Sequence, residues 1–161
     1  MKADRFWKRY WRRCVWLLCV LFWICFIFSN SAQSATQSSE SSGRVLAWLN
    51  EIAEGCKLPF RFSSFFVRKA AHFAEYAVLG ILLPAGALSK ARSDIPHFLR
   101  IGGAGLLVGF LIACIDEGIQ YFQEGRSAQW SDVLLDSSGV VFGCFLLLTV
   151  GYFHYKLRNL K

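Results

Sequence analysis

Four apolar runs, each long enough to cross a lipid bilayer, leave this chain little else to fold with. A hydrocarbon core about 30 Å thick needs about 20 helical residues, and snorkelling or amphipathic ends lengthen shorter runs. Cys14 to Phe28 holds no polar residue and follows Trp11, Arg12 and Arg13. The other runs extend from about Phe65 to Leu88, from Phe98 to Gln120 and from Ser131 to Phe153. Hydrophobic types make up 55% of the 161 residues and charged types 18%. A soluble domain usually carries about a quarter charged residues, so this composition points toward lipid and excludes disordered or collagen-like material. The sequence predicts an all-α polytopic membrane protein. It reads as a single domain over 1–161, a four-transmembrane-helix bundle with spans at about 11–29, 65–88, 98–120 and 131–153. The basic start and the small residues Ser29, Ser31, Ala32 and Ala35 also fit a secretory signal peptide. The run is longer and more aromatic than a typical signal core, which favours a retained span.

The formal net charge is +7, and its placement sets an orientation. Lys2, Arg5, Lys8, Arg9, Arg12 and Arg13 precede the first span. Lys90, Arg92 and Arg100 join the second span to the third, and Lys156, Arg158 and Lys161 follow the fourth. These 12 basic residues meet 2 acidic ones, Asp4 and Asp94, a surplus of +10. The rest of the chain holds 6 basic residues against 9 acidic, or −3. The positive-inside bias therefore puts both termini in the cytoplasm, and the basic surplus also suits anionic lipid. Nucleic acid is not an expected partner, since no recognition motif accompanies the charge. Cys14, Cys19, Cys25, Cys114 and Cys144 fall inside spans as small hydrophobes, and Cys56 alone lies outside, so no disulfide framework is expected.

Between the first two spans, Ser29 to Ser42 is rich in Ser and Gln and reads as a flexible tether. From Gly43 to Gly55 the residues Val45, Trp48, Leu49 and Ile52 recur at helical spacing, with Ser42 as N-cap and Gly55 as stop. This predicts a short amphipathic outer helix over about 43–55, lying on the membrane surface or capping the bundle.

Ionisable residues inside spans are costly and each requires an account. Arg68, His72, Glu75 and Tyr76 share one helical stripe at the start of span two. Asp116 or Glu117 shares a face with Gln120 at the end of span three, and Asp132 and Asp136 lie one turn apart at the start of span four. The charge-derived topology brings all three polar ends to the outer surface. Gly105, Gly109 and Ala113 in span three, and Gly139 and Gly143 in span four, form small-residue faces that allow close helix approach. Gly80 and Pro84 invite a kink in span two.

The chemistry of such a cluster is specific. Arg68 and Arg126 suit bidentate recognition of carboxylate or phosphate. His72 suits proton transfer. Asp116, Glu117, Asp132 and Asp136 cannot all ionise cheaply in low dielectric, which implies held protons or a bound cation. The bland alternative is a set of buried ion pairs locking three helix ends. His72-x-x-Glu75 resembles a reversed metal-ligand pair. A second histidine is missing there, since His97 and His154 fall on the other side, so no metal site is assigned. Trp16 and Trp23 read as lipid-facing or packing aromatics, and Trp7, Trp11 and Trp130 as interfacial belts. No Walker loop, nucleophile elbow or CxxC is present, and no cofactor is expected.

The strings RKAAHFAEYAVLG (Arg68–Gly80) and DEGIQYFQEGRSAQWSDVLLDSSGVVFG (Asp116–Gly143) resemble the VanZ-like family of small bacterial membrane proteins. The family pattern is R-K-x-x-H-F-x-E-Y-x-x-L-G, then D-E-x-x-Q-x-F-x-x-G-R and D-x-x-x-N-x-x-G. The stretch IFSNSAQ also resembles the family's polar exit from its first span, so the likeness runs from about Ile27 to Gly143. It implies a four-helix protein of the bacterial cytoplasmic membrane, and the name-giving member is associated with resistance to the glycopeptide teicoplanin. Its characteristic positions here are Arg68, His72, Glu75, Tyr76, Asp116, Glu117, Gln120, Gly125, Arg126, Asp132 and Gly139. The common Asn of the last block is Asp136 in this chain, which adds a carboxylate to the acidic cluster.

These readings converge on an outward polar pocket that binds or modifies an envelope component, such as a lipid-linked headgroup or wall precursor. Membrane lipid and an envelope lipid or glycopeptide ligand are the expected partners. His72, Glu75, Asp116 and Glu117 are the candidate catalytic residues. Arg68, Tyr76, Gln120, Arg126, Asp132 and Asp136 are the candidate binding residues. The rival is a non-enzymatic assembly module whose cluster only locks helix ends. A transporter fits less well, because nothing polar lines the inner halves of spans three and four.

Overall fold

A computed structural model of the chain describes residues 2–88 and 95–159. The described residues form five α-helices and no strand. They are α1 (Lys2–Ser31), α2 (Ala35–Gly55), α3 (Ser64–Leu88), α4 (Ile95–Tyr121) and α5 (Trp130–Asn159). Lys90, Arg92 and Asp94 of the expected basic loop, together with Lys161, lie outside the described residues. Three helices contain segments long and apolar enough to cross a membrane: Tyr10–Ser31, Leu99–Tyr121 and Trp130–His154. Helix α3, whose first half carries Arg68, Lys69, His72 and Glu75, is not among them.

Large apolar side chains face outward all round the bundle. Phe22, Leu107 and Phe145 are each more than 60% exposed. A water-soluble fold would bury them, whereas a lipid-facing surface has no reason to. The interior is small by comparison. Ile27, Tyr76, Leu79, Ala113 and Val140 are almost wholly buried at its centre.

The closest helix pair is α3 and α5, and glycine explains why. A methyl group added at Gly139 would collide with the Phe73 carbonyl, and one at Gly143 with the Ala77 carbonyl. Gly80 returns the contact from α3, where an added methyl would strike the Val140 carbonyl. Small residues thus let two backbones touch, which is how helices associate where lipid offers no hydrophobic drive. On α4, Gly109 receives the Val140 side chain in the same way. Helix α3 continues through Pro84, which is fully buried.

Helix α1 lies against α3 and α4. Trp16 Nε1 donates to the Leu82 carbonyl (2.7 Å) and Trp23 Nε1 to the Glu75 carbonyl (2.9 Å). Of the two roles open to these indoles, packing is the one observed. Each N–H needs an acceptor away from water, and the neighbouring helix supplies it.

The stretch before residue 43 is a correction. Helix α2 starts at Ala35, so most of the expected tether is helical, and the N-cap is Ser34 rather than Ser42. Ser34 Oγ accepts from Gln37 N while the Gln37 side chain accepts from Ser34 N, a capping box that satisfies two helix-end donors. A third donor, Ala35 N, bonds the Glu124 carbonyl in the loop after α4 (3.1 Å). At the far end the Asn50 amide grips both backbone groups of Phe62, at 2.7 and 3.3 Å. Trp48 and Ile52 point away from the bundle, 59% and 44% exposed, while Ala53 is buried.

Candidate functional site

The polar residues gather at one end of the bundle, where α1 ends, α3 and α5 begin and α4 ends. Helical spacing places Arg68, His72 and Glu75 along one side of α3, facing the exit of α1 and the start of α2. Together with Arg126 they line a cleft of about 360 Å³. Asn30, Gln33 and Ser38 supply further polar wall, and Val45, Leu49 and Phe66 an apolar one.

Arg126 reaches this cleft because of the glycine before it. Gly125 has φ +73°, a left-handed conformation in which a side chain would be strained, and it turns the loop after α4 back over α2. The guanidinium then donates from Nη1 to the Ser31 carbonyl (3.2 Å) and from Nη2 to Ser38 Oγ (2.7 Å). Burial, followed by the neighbouring Arg68, lowers its pKa, and Asp116 and Glu117 oppose the shift. An arginine keeps its charge at neutral pH regardless. Glu75 Oε1 accepts from Asn30 Nδ2 (2.8 Å), which fixes the carboxylate at the cleft wall.

Behind the cleft lies a drier layer. Asp116, Asp136 and Tyr76 are completely buried. Gln120 Nε2 donates to Asp116 Oδ2 (3.1 Å) and contacts Ser31 Oγ (3.3 Å). His72 Nδ1 stands 3.9 Å from Asp136 Oδ1, so this ring belongs to both the cleft and the inner layer. Neither oxygen of Asp136 has a hydrogen-bond partner.

Two predicted residues sit apart from both the cleft and the inner layer. Asp132 forms an ion pair with Lys69, both half-buried, tying α5 to α3. Glu117 Oε2 accepts from the Gln129 backbone N–H (2.8 Å) and lines a separate cavity of about 230 Å³ with Cys114, Ala128 and Trp130.

A family model described as VanZ/LLP1 matches residues 16–151. The chain belongs to the VanZ/LLP1 family. With its three apolar helices, that membership makes it a membrane protein. Neither a curated protein nor a solved structure matches it significantly.

In this VanZ/LLP1 chain the three motif blocks meet in space. Residues beyond the predicted site residues complete the site: Asn30 and Ser31 from α1, Ser38 from α2, Lys69 from α3 and Gln129 from the loop before α5. Asn30 and Ser31 had a signal in the polar break IFSNSAQ, and Lys69 sits beside Arg68 in its block. Ser38 had only the Ser34-x-x-Gln37 capping pattern, which places it in the first turns of a helix rather than in a tether.

Proposed function

We propose that this VanZ/LLP1 protein spans the bacterial cytoplasmic membrane four times and presents the cleft outward to bind, and in one form of the reading modify, an anionic envelope component. The observation that carries the proposal is the cleft itself, where Arg68, Arg126, His72 and Glu75 converge beside an apolar wall. Two guanidiniums suit a phosphate or carboxylate headgroup, and the Val45, Leu49 and Phe66 wall suits its lipid portion. As the fourth span, α3 has 25 residues, a length of about 38 Å that exceeds the bilayer core. Its charges face the bundle rather than lipid, and α4 and α5 pack on its other sides. The lysine and arginine bias orients the cleft outward and leaves both termini in the cytoplasm. Association of the family with glycopeptide resistance accords with a ligand in the envelope.

One observation favours the rival reading. Arg126 gives two hydrogen bonds to Ser31 and Ser38, and Lys69 is committed to Asp132, so part of the cluster ties helices together. The test uses Arg126→Lys and His72→Gln, read by glycopeptide susceptibility, by membrane abundance, and by binding of a short-chain polyprenyl phosphate to the purified protein. Loss of a charge-assisted, two-bond contact lowers affinity about tenfold or more. Weakened binding and lost phenotype at normal abundance support the cleft as a binding site. Lost abundance without a selective phenotype assigns the cluster to assembly.

A further inference from the structure

The inner layer behind the cleft carries more than a headgroup site requires. One nitrogen of His72 and one oxygen each of Asp116 and Asp136 lie within 4.8 Å of one another, drawn from α3, α4 and α5. Both carboxylates are completely buried. Asp136 is the decisive residue, because both of its oxygens are buried without a hydrogen-bond partner and its carboxylate supplies one atom of this cluster. Asp116 uses one oxygen for Gln120, and its Oδ1 makes no hydrogen bond of good geometry although the Ser31 and Tyr76 hydroxyls stand beside the carboxylate. The nearby cations do not answer this demand. Lys69 is paired with Asp132, the two hydrogen bonds of Arg126 go to Ser31 and Ser38, and Arg68, whose buried Nε has no partner, makes no ion pair with either aspartate.

We propose that His72, Asp116 and Asp136 form a binding site for one divalent first-row transition-metal cation, of the zinc or manganese type. A neutral imidazole with two carboxylates supplies charge −2, which a divalent ion cancels where water does not reach. The nitrogen donor favours zinc, manganese or iron over magnesium or calcium, which prefer all-oxygen sites. Metal–ligand bonds of about 2.1 Å put neighbouring donors about 3.0–3.5 Å apart, so closure requires only about an ångström of side-chain rotation. The second layer is in place too, since Gln120 orients Asp116 as outer partners orient metal ligands. His72 also lines the cleft, so the site adjoins the cleft through this one ring.

The site stands whether or not the cleft takes an envelope ligand, and its test needs none. The full chain is purified in detergent, stripped with a chelator and titrated with Zn²⁺, then with Mn²⁺, by calorimetry and elemental analysis. The expected result is one ion per chain, with affinity reduced at least about tenfold in Asp136→Asn and in His72→Ala. Asp136→Asn is isosteric and restores the residue common to the family pattern, so its folding is checked against wild type by melting temperature without metal. Equal binding in wild type and Asp136→Asn means an adventitious ion only and overturns the proposal. So does an absence of binding together with an infrared carboxylic-acid band that vanishes in Asp136→Asn, which would assign the pair a shared proton. Arg126→Lys leaves all three ligands intact, so failure of the cleft reading and failure of the metal site are separable.

Discussion

The indole N–H groups of Trp16 and Trp23 are donated to carbonyls of α3, and Trp16 also packs flat where Gly86 leaves room. These are among the few polar contacts that hold α1 to the rest, since most of its surface faces outward. Trp23→Phe keeps most of the ring and removes the donor. It should lower stability by about 1 kcal/mol, the usual net value of one hydrogen bond. A reduced melting temperature in detergent checks this, with Phe22→Leu on the exposed face as the neutral comparison. Which tryptophans pack inward was not legible in the sequence. Trp16, Trp23 and the belt residue Trp11 have similar apolar surroundings along the chain, and only the register of α1 against α3 separates them. At Arg126 the reverse holds, because the Gly-Arg pair of its motif already implies a turned loop that aims a guanidinium.

End chemistry places α2, and small residues let α3 and α5 meet closely. Ser34→Ala removes the cap of α2 and should cost about 1 kcal/mol, seen as faster hydrogen exchange over the first turns of α2. The start of this helix was hard to read because Ser and Gln dominate it, and composition alone resembles a loop. Its stabilising contacts come from elsewhere in the chain, through Glu124 and Arg126. The α3–α5 contact was better announced, since Gly139 and Gly143 stand on one face at four-residue spacing. Gly143→Ala should cost about 1–3 kcal/mol by forcing two backbones apart, and membrane abundance should fall. Gly103→Ala meets no atom within 4 Å and should be tolerated in the same assay.

For the molecule as a whole, the sequence contained the convergence of three polar helix ends, because charge bias and helical spacing together fix which ends meet. It did not contain the division of that end into an open cleft and a dry inner layer, which depends on how closely α3 approaches α5. The orientation remains an expectation with a direct check. Cys56, which is exposed at the end of α2, should react with an impermeant maleimide on intact cells. Lys156→Cys, exposed near the end of α5, should react only after permeabilisation. Labelling of both from one side would overturn the assigned topology. The glycine contact has a consequence for how such a chain can vary. Where two helices meet main chain to main chain, the gap between His72 and Asp136 is set by atoms that every amino acid shares. Sequence drift over the outward-facing sides of α3 and α5 leaves that gauge untouched, and one codon change at Gly143 resets it.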